Sequence, residues 1–297
     1  MMGDGRTNHL RFDLQIMQQR GLVVAFKTLM VHLELARSNV EVLRTAGGLA
    51  AKLDARIVGI AACQPMQWAY GDGYSGGTAI VDCQDELKAE LRAAEAEFRE
   101  ALKGGEAPLE WRSAFTTEAL PYYLSSEARC ADLILSSVTN AGLLDSSRRT
   151  SLGDLVMRAG KPVLVVPHAG SRIPFERIVI AWKDTREARR AAVDALPLLT
   201  MAKHVTVLEV ADELEVQVAQ GRVQDVANWL ATHGITAVPL AVPSRGNDAA
   251  NIEARLEEHA GDLVVAGAYG HNRLREWAFG GVTHNLLNGM RCALLSH

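Results

Sequence analysis

The apolar positions of this chain run through one pattern twice. In the first half, Leu29-Met30-Val31-His32-Leu33 reads as a short strand. Behind it, Val40, Leu43, Ala46 and Leu49 fall at helical spacing, with Ser38 or Asn39 placed as a cap. Strand Arg56 to Ala62, a glycine-rich loop and a long charged helix from about Gln84 to Leu102 follow. Next come strand Leu109 to Phe115, a helix through Leu124, strand Leu133-Ile134-Leu135, a helix through Leu155 and strand Pro162 to Val166. The stretch from Pro167 to Pro174 is rich in turn residues and reads as a linker.

The second half begins again. Strand Arg177 to Trp182 precedes Thr185, a cap for a helix predicted to run unbroken to Leu199. Strand His204 to Val210, a helix from about Leu214 to His233 and strand Ile235 to Val242 come next. Asn247 or Asp248 caps a helix ending near His259; strand Leu263 to Ala266, a glycine segment, a short helix from Val282 to Asn288 and strand Cys292 to Leu295 complete the pattern. Strands alternate with helices and several strands are apolar throughout, which predicts parallel sheets covered on both faces. Each half is expected to be a five-stranded doubly wound α/β unit, and so long a repeat predicts two similar domains. The expected boundaries are 1–27 for an N-terminal extension, 28–167 for the first domain, 168–175 for the linker and 176–297 for the second domain.

Composition narrows the class. At 297 residues the chain is long enough for about two domains of ~150 residues. A net charge of -4 gives no basic footprint for nucleic acid. No apolar run reaches the ~18 residues of a membrane span. The start, Met1 to Arg20, is polar and lacks the apolar core of a secretion signal, so a cytoplasmic protein is expected. Cys63, Cys83, Cys130 and Cys292 are scattered, with no paired spacing, and read as reduced thiols with no zinc site among them.

The chemistry concentrates near the C-terminus. The apolar run Leu263 to Ala266 ends at Gly267; Gly270 follows, and Gly280-Gly281-Val282-Thr283 opens a helix-like segment. Glycines let a backbone approach an anion closely. A helix N-terminus behind them offers unpaired N–H groups and a positive dipole end. Open α/β sheets bind ligands at the carboxyl ends of their strands, so the segment reads as a phosphate cradle. The same glycines also suit an ordinary turn and helix junction. Arg273, Arg275 and His284 are either phosphate partners or solvated loop charges; Trp182 and Tyr269 either stack on a base or pack in the core. Lys183 reaches either a phosphate or a neighbouring Asp184 or Glu187.

The spacing Gly267-x2-Gly270-x9-Gly280, set between a buried strand and a helix start in a duplicated unit, resembles the universal stress protein family in its tandem form. The resemblance covers about Thr28 to the C-terminus. It implies two flavodoxin-like sheets of strand order 3-2-1-4-5 packed as an internal pseudo-dimer, with further homodimerisation open. It also implies an adenine nucleotide, ATP above all, with a divalent cation such as Mg, held in the second domain at Gly267, Gly270, Gly280, Gly281, Val282, Thr283, Lys183 and Asp184. Two positions depart from the family pattern. Gly281 stands where a hydroxyl residue is usual, and Lys183 stands where the first strand usually ends in an aspartate, with Asp184 one step on. The first domain departs further, with Ser136 to Asn140 and Thr150 to Gly153 in place of the glycines and Glu34 in place of the aspartate. It reads as a structural or regulatory partner. The family implies a role in stress survival as a regulator or sensor; a ligand-free interaction protein is the alternative.

Other motifs carry less. The loop Tyr70 to Gly77 lacks the Lys-Ser or Lys-Thr of a phosphate-binding loop and reads as a connector. Asp82, Asp85 and Glu86 are expected at the start of the helix that follows. Ser136 and Ser137 have no nucleophile elbow, and His32, His204 and His233 have no metal spacing. No pair stands out as general acid and base, so any ATP hydrolysis is expected to be weak.

Overall fold

The computed structural model describes residues 25–65, 76–138, 147–168, 173–244, 254–258, 261–268 and 291–297. In the first half, β1 (Thr28–His32) leads to α1 (Val40–Leu53), β2 (Arg56–Cys63), α2 (Gly76–Ala101), β3 (Leu109–Phe115), α3 (Leu120–Glu127), β4 (Leu133–Ser137), α4 (Leu152–Ala159) and β5 (Val163–Val166). The second half holds β6 (Arg177–Ala181), α5 (Arg186–Asp194), α6 (Leu196–Leu199), β7 (His204–Ala211), α7 (Val216–Thr232), β8 (Ala237–Pro243), β9 (Leu263–Gly267) and β10 (Cys292–Ser296).

All ten strands form one sheet in the order β3-β2-β1-β4-β5-β10-β9-β6-β7-β8. Each half keeps the order 3-2-1-4-5 with parallel pairing. The halves join where β5 and β10 pair antiparallel, with Leu164 opposite Leu294. The expected pseudo-dimer is therefore a single continuous sheet. Because the junction is antiparallel, the carboxyl ends of β1 and β4 lie at one margin of the sheet and those of β6 and β9 at the other.

Alternation along the strands divides the core into two layers. Leu29, Val31, Leu164, Val265 and Leu294 pack with Leu43, Phe98, Ala191 and Val223 from the helices on one face. Met30, Ile134, Val163, Val165, Val264, Ala293 and Leu295 pack with Leu124 and Leu155 on the other. Both layers draw residues from both halves, so the apolar core runs unbroken across the junction.

One device appears twice. Asp132, just before β4, accepts the N–H groups of Lys27 and Thr28 at 2.8 and 2.9 Å, and returns its own N–H to Thr28. Asp262, just before β9, accepts from Glu176 at 2.8 Å and Arg177 at 3.2 Å, and returns its N–H to Arg177. Each aspartate thus ties the start of a half's fourth strand to the start of its first. Burial pushes the Asp262 carboxyl above its ordinary value, and the two N–H groups pull it back only in part. Phe26 and Phe175, each two residues before its strand, are both buried beside these ties. Phe26 thereby anchors the end of the segment read as an extension to the first core.

Several helix ends differ from expectation. The helix after Thr185 is interrupted at Ala195, because Pro197 has no N–H to give the carbonyl one turn back. The Thr185 hydroxyl does cap α5, accepting from Ala188 at 3.3 Å. Asn39 occupies the cap position of α1, but its side chain bonds the Glu34 backbone and Glu97 instead of the helix. Helix α2 begins at Gly76, so Asp85 and Glu86 lie well inside it rather than at its start. The connector 70–75, the cap at Asn247 or Asp248, the helix Val282 to Asn288 and residues 1–24 lie outside the described residues.

Replacing Asp132 or Asp262 with Ala strands two backbone donors at a strand start. Each variant is expected to lose about 1–3 kcal/mol, read as a lower urea midpoint with unchanged slope.

Candidate functional site

The sheet reverses winding between β6 and β9, the switch point at which doubly wound sheets open a crevice. Ala181 on β6 faces Ala266 on β9, so Trp182 and Gly267 stand side by side at the strand ends. Of the sequence-predicted site residues, Gly267, Lys183 and Asp184 fall here. Gly270, Gly280, Gly281, Val282 and Thr283 lie outside the described residues, as do Tyr269, Arg273, Arg275 and His284.

Gly267 is shaped by a helix. A Cβ built on it would stand 2.4 Å from the Ala188 nitrogen and 2.5 Å from the Glu187 carbonyl carbon. The first turn of α5 therefore lies directly on the end of β9, and only hydrogen fits between them. Just beyond, the Ala268 N–H is committed to Ser296 at 2.8 Å and its carbonyl contacts His297 at 3.0 Å. The chain leaves β9 pinned to the end of β10.

The charges divide sharply. Asp184 is exposed and pairs with Arg189 at 2.6 Å. Lys183 is exposed and makes no ion pair among the described residues, so neither Asp184 nor Glu187 is its partner. Glu187 is fully buried in the first turn of α5, bonded to Arg186 through one oxygen while the other finds no partner among the described residues. Burial pushes its carboxyl up, but the Arg186 bond, its own N–H and the Thr185 hydroxyl outweigh this and hold it below the ordinary value. It is therefore ionised at neutral pH, where the helix dipole favours it. Trp182 is half-buried and packs against the core, with its indole nitrogen buried and without a partner among the described residues. Neither the Glu187 oxygen nor this indole N–H was singled out from the sequence. The signal for Glu187 was its place two residues after a helix cap.

The corresponding margin of the first half is built differently. Glu34 is buried after β1, 3.8 Å from Arg37, and Asn39 bonds both its N–H and its carbonyl. Glu97 on α2 accepts the Asn39 backbone and side-chain amides at 2.8 and 2.9 Å. A cleft of about 360 Å³ lies between this loop and α2, lined by Glu34, Arg37, Asn39, Glu90 and Glu97. At the ends of β1 and β4, His32 Nδ1 lies 3.0 Å from Ser136 Oγ, and both are buried. Burial lowers the affinity of His32 for a proton, and the Glu34 charge offsets this only in part. The ring is neutral at physiological pH. Among the described residues no group of three or more side chains is arranged to hold a metal ion.

Gly267→Ala forces a methyl into backbone, and overpacking of this kind costs about 1–3 kcal/mol. A lower melting temperature is expected, while the same substitution at Gly221, inside α7 with nothing near it, is expected to raise it slightly, since alanine gains up to about 1 kcal/mol of helix propensity over glycine. His32 gives a pH signature. Its folded affinity for protons is depressed, so its contribution is fully present above the ordinary value of 6.5 and is lost as pH falls below it. Urea midpoints measured from about pH 7.5 to about 5.5 are expected to fall more steeply for the native chain than for His32→Asn.

No protein-family model and no curated protein matches the sequence. Solved structures do match the fold. A universal stress protein from Archaeoglobus fulgidus DSM 4304 aligns over 91% of this chain and 97% of its own, at 12% identity and a TM-score of 0.68. A putative universal stress protein from Pseudomonas aeruginosa UCBPP-PA14 aligns over 93% and 95%, at 15% identity and a TM-score of 0.58. A functionally unknown protein from Pseudomonas aeruginosa PAO1 aligns over 92% and 93%, at 14% identity and a TM-score of 0.57. No helix among the described residues is long and apolar enough to cross a membrane. With both five-stranded halves in place and with matches that run nearly end to end, the chain has the fold of a tandem universal stress protein.

Proposed function

We propose that this chain is a universal-stress-type regulator or sensor that binds ATP, or a related phosphate ligand, at the β6–β9 switch point of its second half. The observation that carries the reading is the topological switch point at the ends of β6 and β9, with the sequence segment Gly267-x2-Gly270-x9-Gly280-Gly281-Val282-Thr283 following β9. Bare N–H groups of Gly270, Gly280, Gly281 and Val282 would hold phosphate, with the Thr283 hydroxyl assisting. Lys183 suits the same ligand, being an exposed ammonium at the neighbouring strand end with no carboxylate bound to it among the described residues. The buried indole N–H of Trp182 has no acceptor among the described residues.

Asp184 fits a divalent cation poorly, since Arg189 already holds its carboxylate. A Mg ion arriving with ATP would be carried by the phosphates themselves. The chain offers no placed base for attack on the terminal phosphate among the described residues. Binding, and not turnover, is the proposed event, with the ligand selecting one conformation of the surface shown to a protein partner.

One observation favours the rival reading of a ligand-free interaction protein. Gly267 is already accounted for by the seat of α5, so its presence does not need a ligand.

The two readings separate in one experiment. Purified protein is denatured and its supernatant examined by absorbance and mass spectrometry, and the nucleotide-free chain is titrated with ATP by calorimetry. Binding is expected, weakened at least tenfold by Gly270→Val and by several-fold in Lys183→Ala, about 1 kcal/mol for one charge-assisted contact. Absence of any adenine nucleotide in the preparation, together with no heat at millimolar ATP, establishes the ligand-free reading.

A further inference from the structure

The two edge strands of the ten-stranded sheet are β3 and β8, and they are finished differently. In a parallel pair, alternate residues of an edge strand bond inward and the others point outward. On β8 the inward set is even-numbered, since Ser244 donates to Ala211 at the end of the β7 ladder. The outward set is Ala237, Pro239, Ala241 and Pro243. Two of these have no N–H at all, and the third, Ala241, donates to Gln220 Oε1 at 3.0 Å. Gln220 Nε2 also covers the Pro239 carbonyl at 3.4 Å. Prolines and side-chain caps on an edge are the usual means of refusing another strand.

β3 carries none of these devices. Ile57 donates to Pro108, and Thr116 donates to Cys63, so its even-numbered residues face β2. Leu109, Trp111, Ser113 and Phe115 point their N–H and C=O groups outward, and no side chain among the described residues caps them. The strand is stiffened from behind by Trp111 packed on Phe98, ring centroids 5.4 Å apart. Leu109 and Phe115, near its two ends, are exposed apolar side chains.

We infer that a second copy of this chain docks on β3, its own β3 adding antiparallel about a two-fold axis at Trp111. Parity and charge select this register. For outward groups to meet outward groups, odd residues must face odd residues. Of the three central registers that allow it, one sets Glu110 against Glu110 of the second copy and another sets Arg112 against Arg112. The register centred on Trp111 sets Glu110 against Arg112 twice, in the close non-hydrogen-bonded positions of an antiparallel ladder. Within one chain these two side chains already lie 2.7 Å apart, with Arg112 also bonded to Glu127 at 2.9 Å. The second copy would extend a charge network already in place. In the hydrogen-bonded positions Leu109 meets Ser113 and Trp111 meets itself. This surface is distant from the β6–β9 crevice in the sheet order, and the inference stands whether or not that crevice binds nucleotide.

Light scattering behind size exclusion on the full chain tests this. A dimer is expected at micromolar concentration, converted to monomer by Ser113→Pro, which removes one outward N–H at an edge where proline is tolerated, and unaffected by Ala237→Pro on β8. Mixing separate Arg112→Glu and Glu110→Arg chains tests the register, since each alone faces like charge and the mixture restores both pairs. A native chain that stays monomeric overturns the inference, as does a dimer indifferent to Ser113→Pro or a mixture that fails to associate. Hydrogen exchange on the native chain gives an answer even if a variant misfolds. The amides of Leu109, Trp111 and Ser113 are expected to gain protection as concentration rises, and fast exchange at every concentration refutes the contact.

Discussion

The antiparallel meeting of β5 and β10 is the contact on which the rest of the architecture depends. Two short strands, with Leu164 opposite Leu294, turn two doubly wound units into one sheet. A slip of one residue there would exchange the faces of every side chain on the slipped strand. Were β10 to slip, Leu294 would leave the layer shared with α1 and α5, and Ala293 and Leu295 would leave the other. Since these strands are nearly all fully buried, such a slip has no low-energy solution. The junction also sends the two switch points to opposite ends of the sheet's strands.

Within the second half, the seat of α5 on β9 shapes the switch point. The helix comes so close to Gly267 that its first turn lies directly on the strand end. That turn carries a buried ionised Glu187 bonded to Arg186. Around it Asp184 is held by Arg189, and Lys183 makes no ion pair among the described residues. In the first half the corresponding place is lined by Glu34, Asn39 and Glu97, bonded to one another through Asn39, with a neutral His32 set against Ser136.

Much of this was legible in the residues. All ten strands lie within a residue or two of the apolar runs, because fully buried parallel strands leave few polar interruptions. The order of strands and the packing of the two halves as a pseudo-dimer came from the family resemblance, which the sheet bears out. The failures are local and have causes. Gly76 and Gly77 look like loop because glycine has a poor helix propensity, yet α2 starts there. Asn39 looks like a cap but is drawn away by Glu97, a residue 58 positions on. The paired aspartates were visible as Ala131-Asp132-Leu133 and Gly261-Asp262-Leu263, though only a comparison of the two halves gives them meaning. The reason for Gly267 is a contact with α5, 79 to 80 positions earlier in the chain (267 minus 188 or 187), and no local pattern reports it.

The finish of β8 bears on how this molecule survives crowding. A sheet receptive along both sides can recruit copy after copy, and the product is a fibre with no natural length. Here two pyrrolidine rings and one glutamine close one side. Any joining through the opposite side uses up the last receptive flank of both participants, so the process terminates after a single step and the species formed is finite.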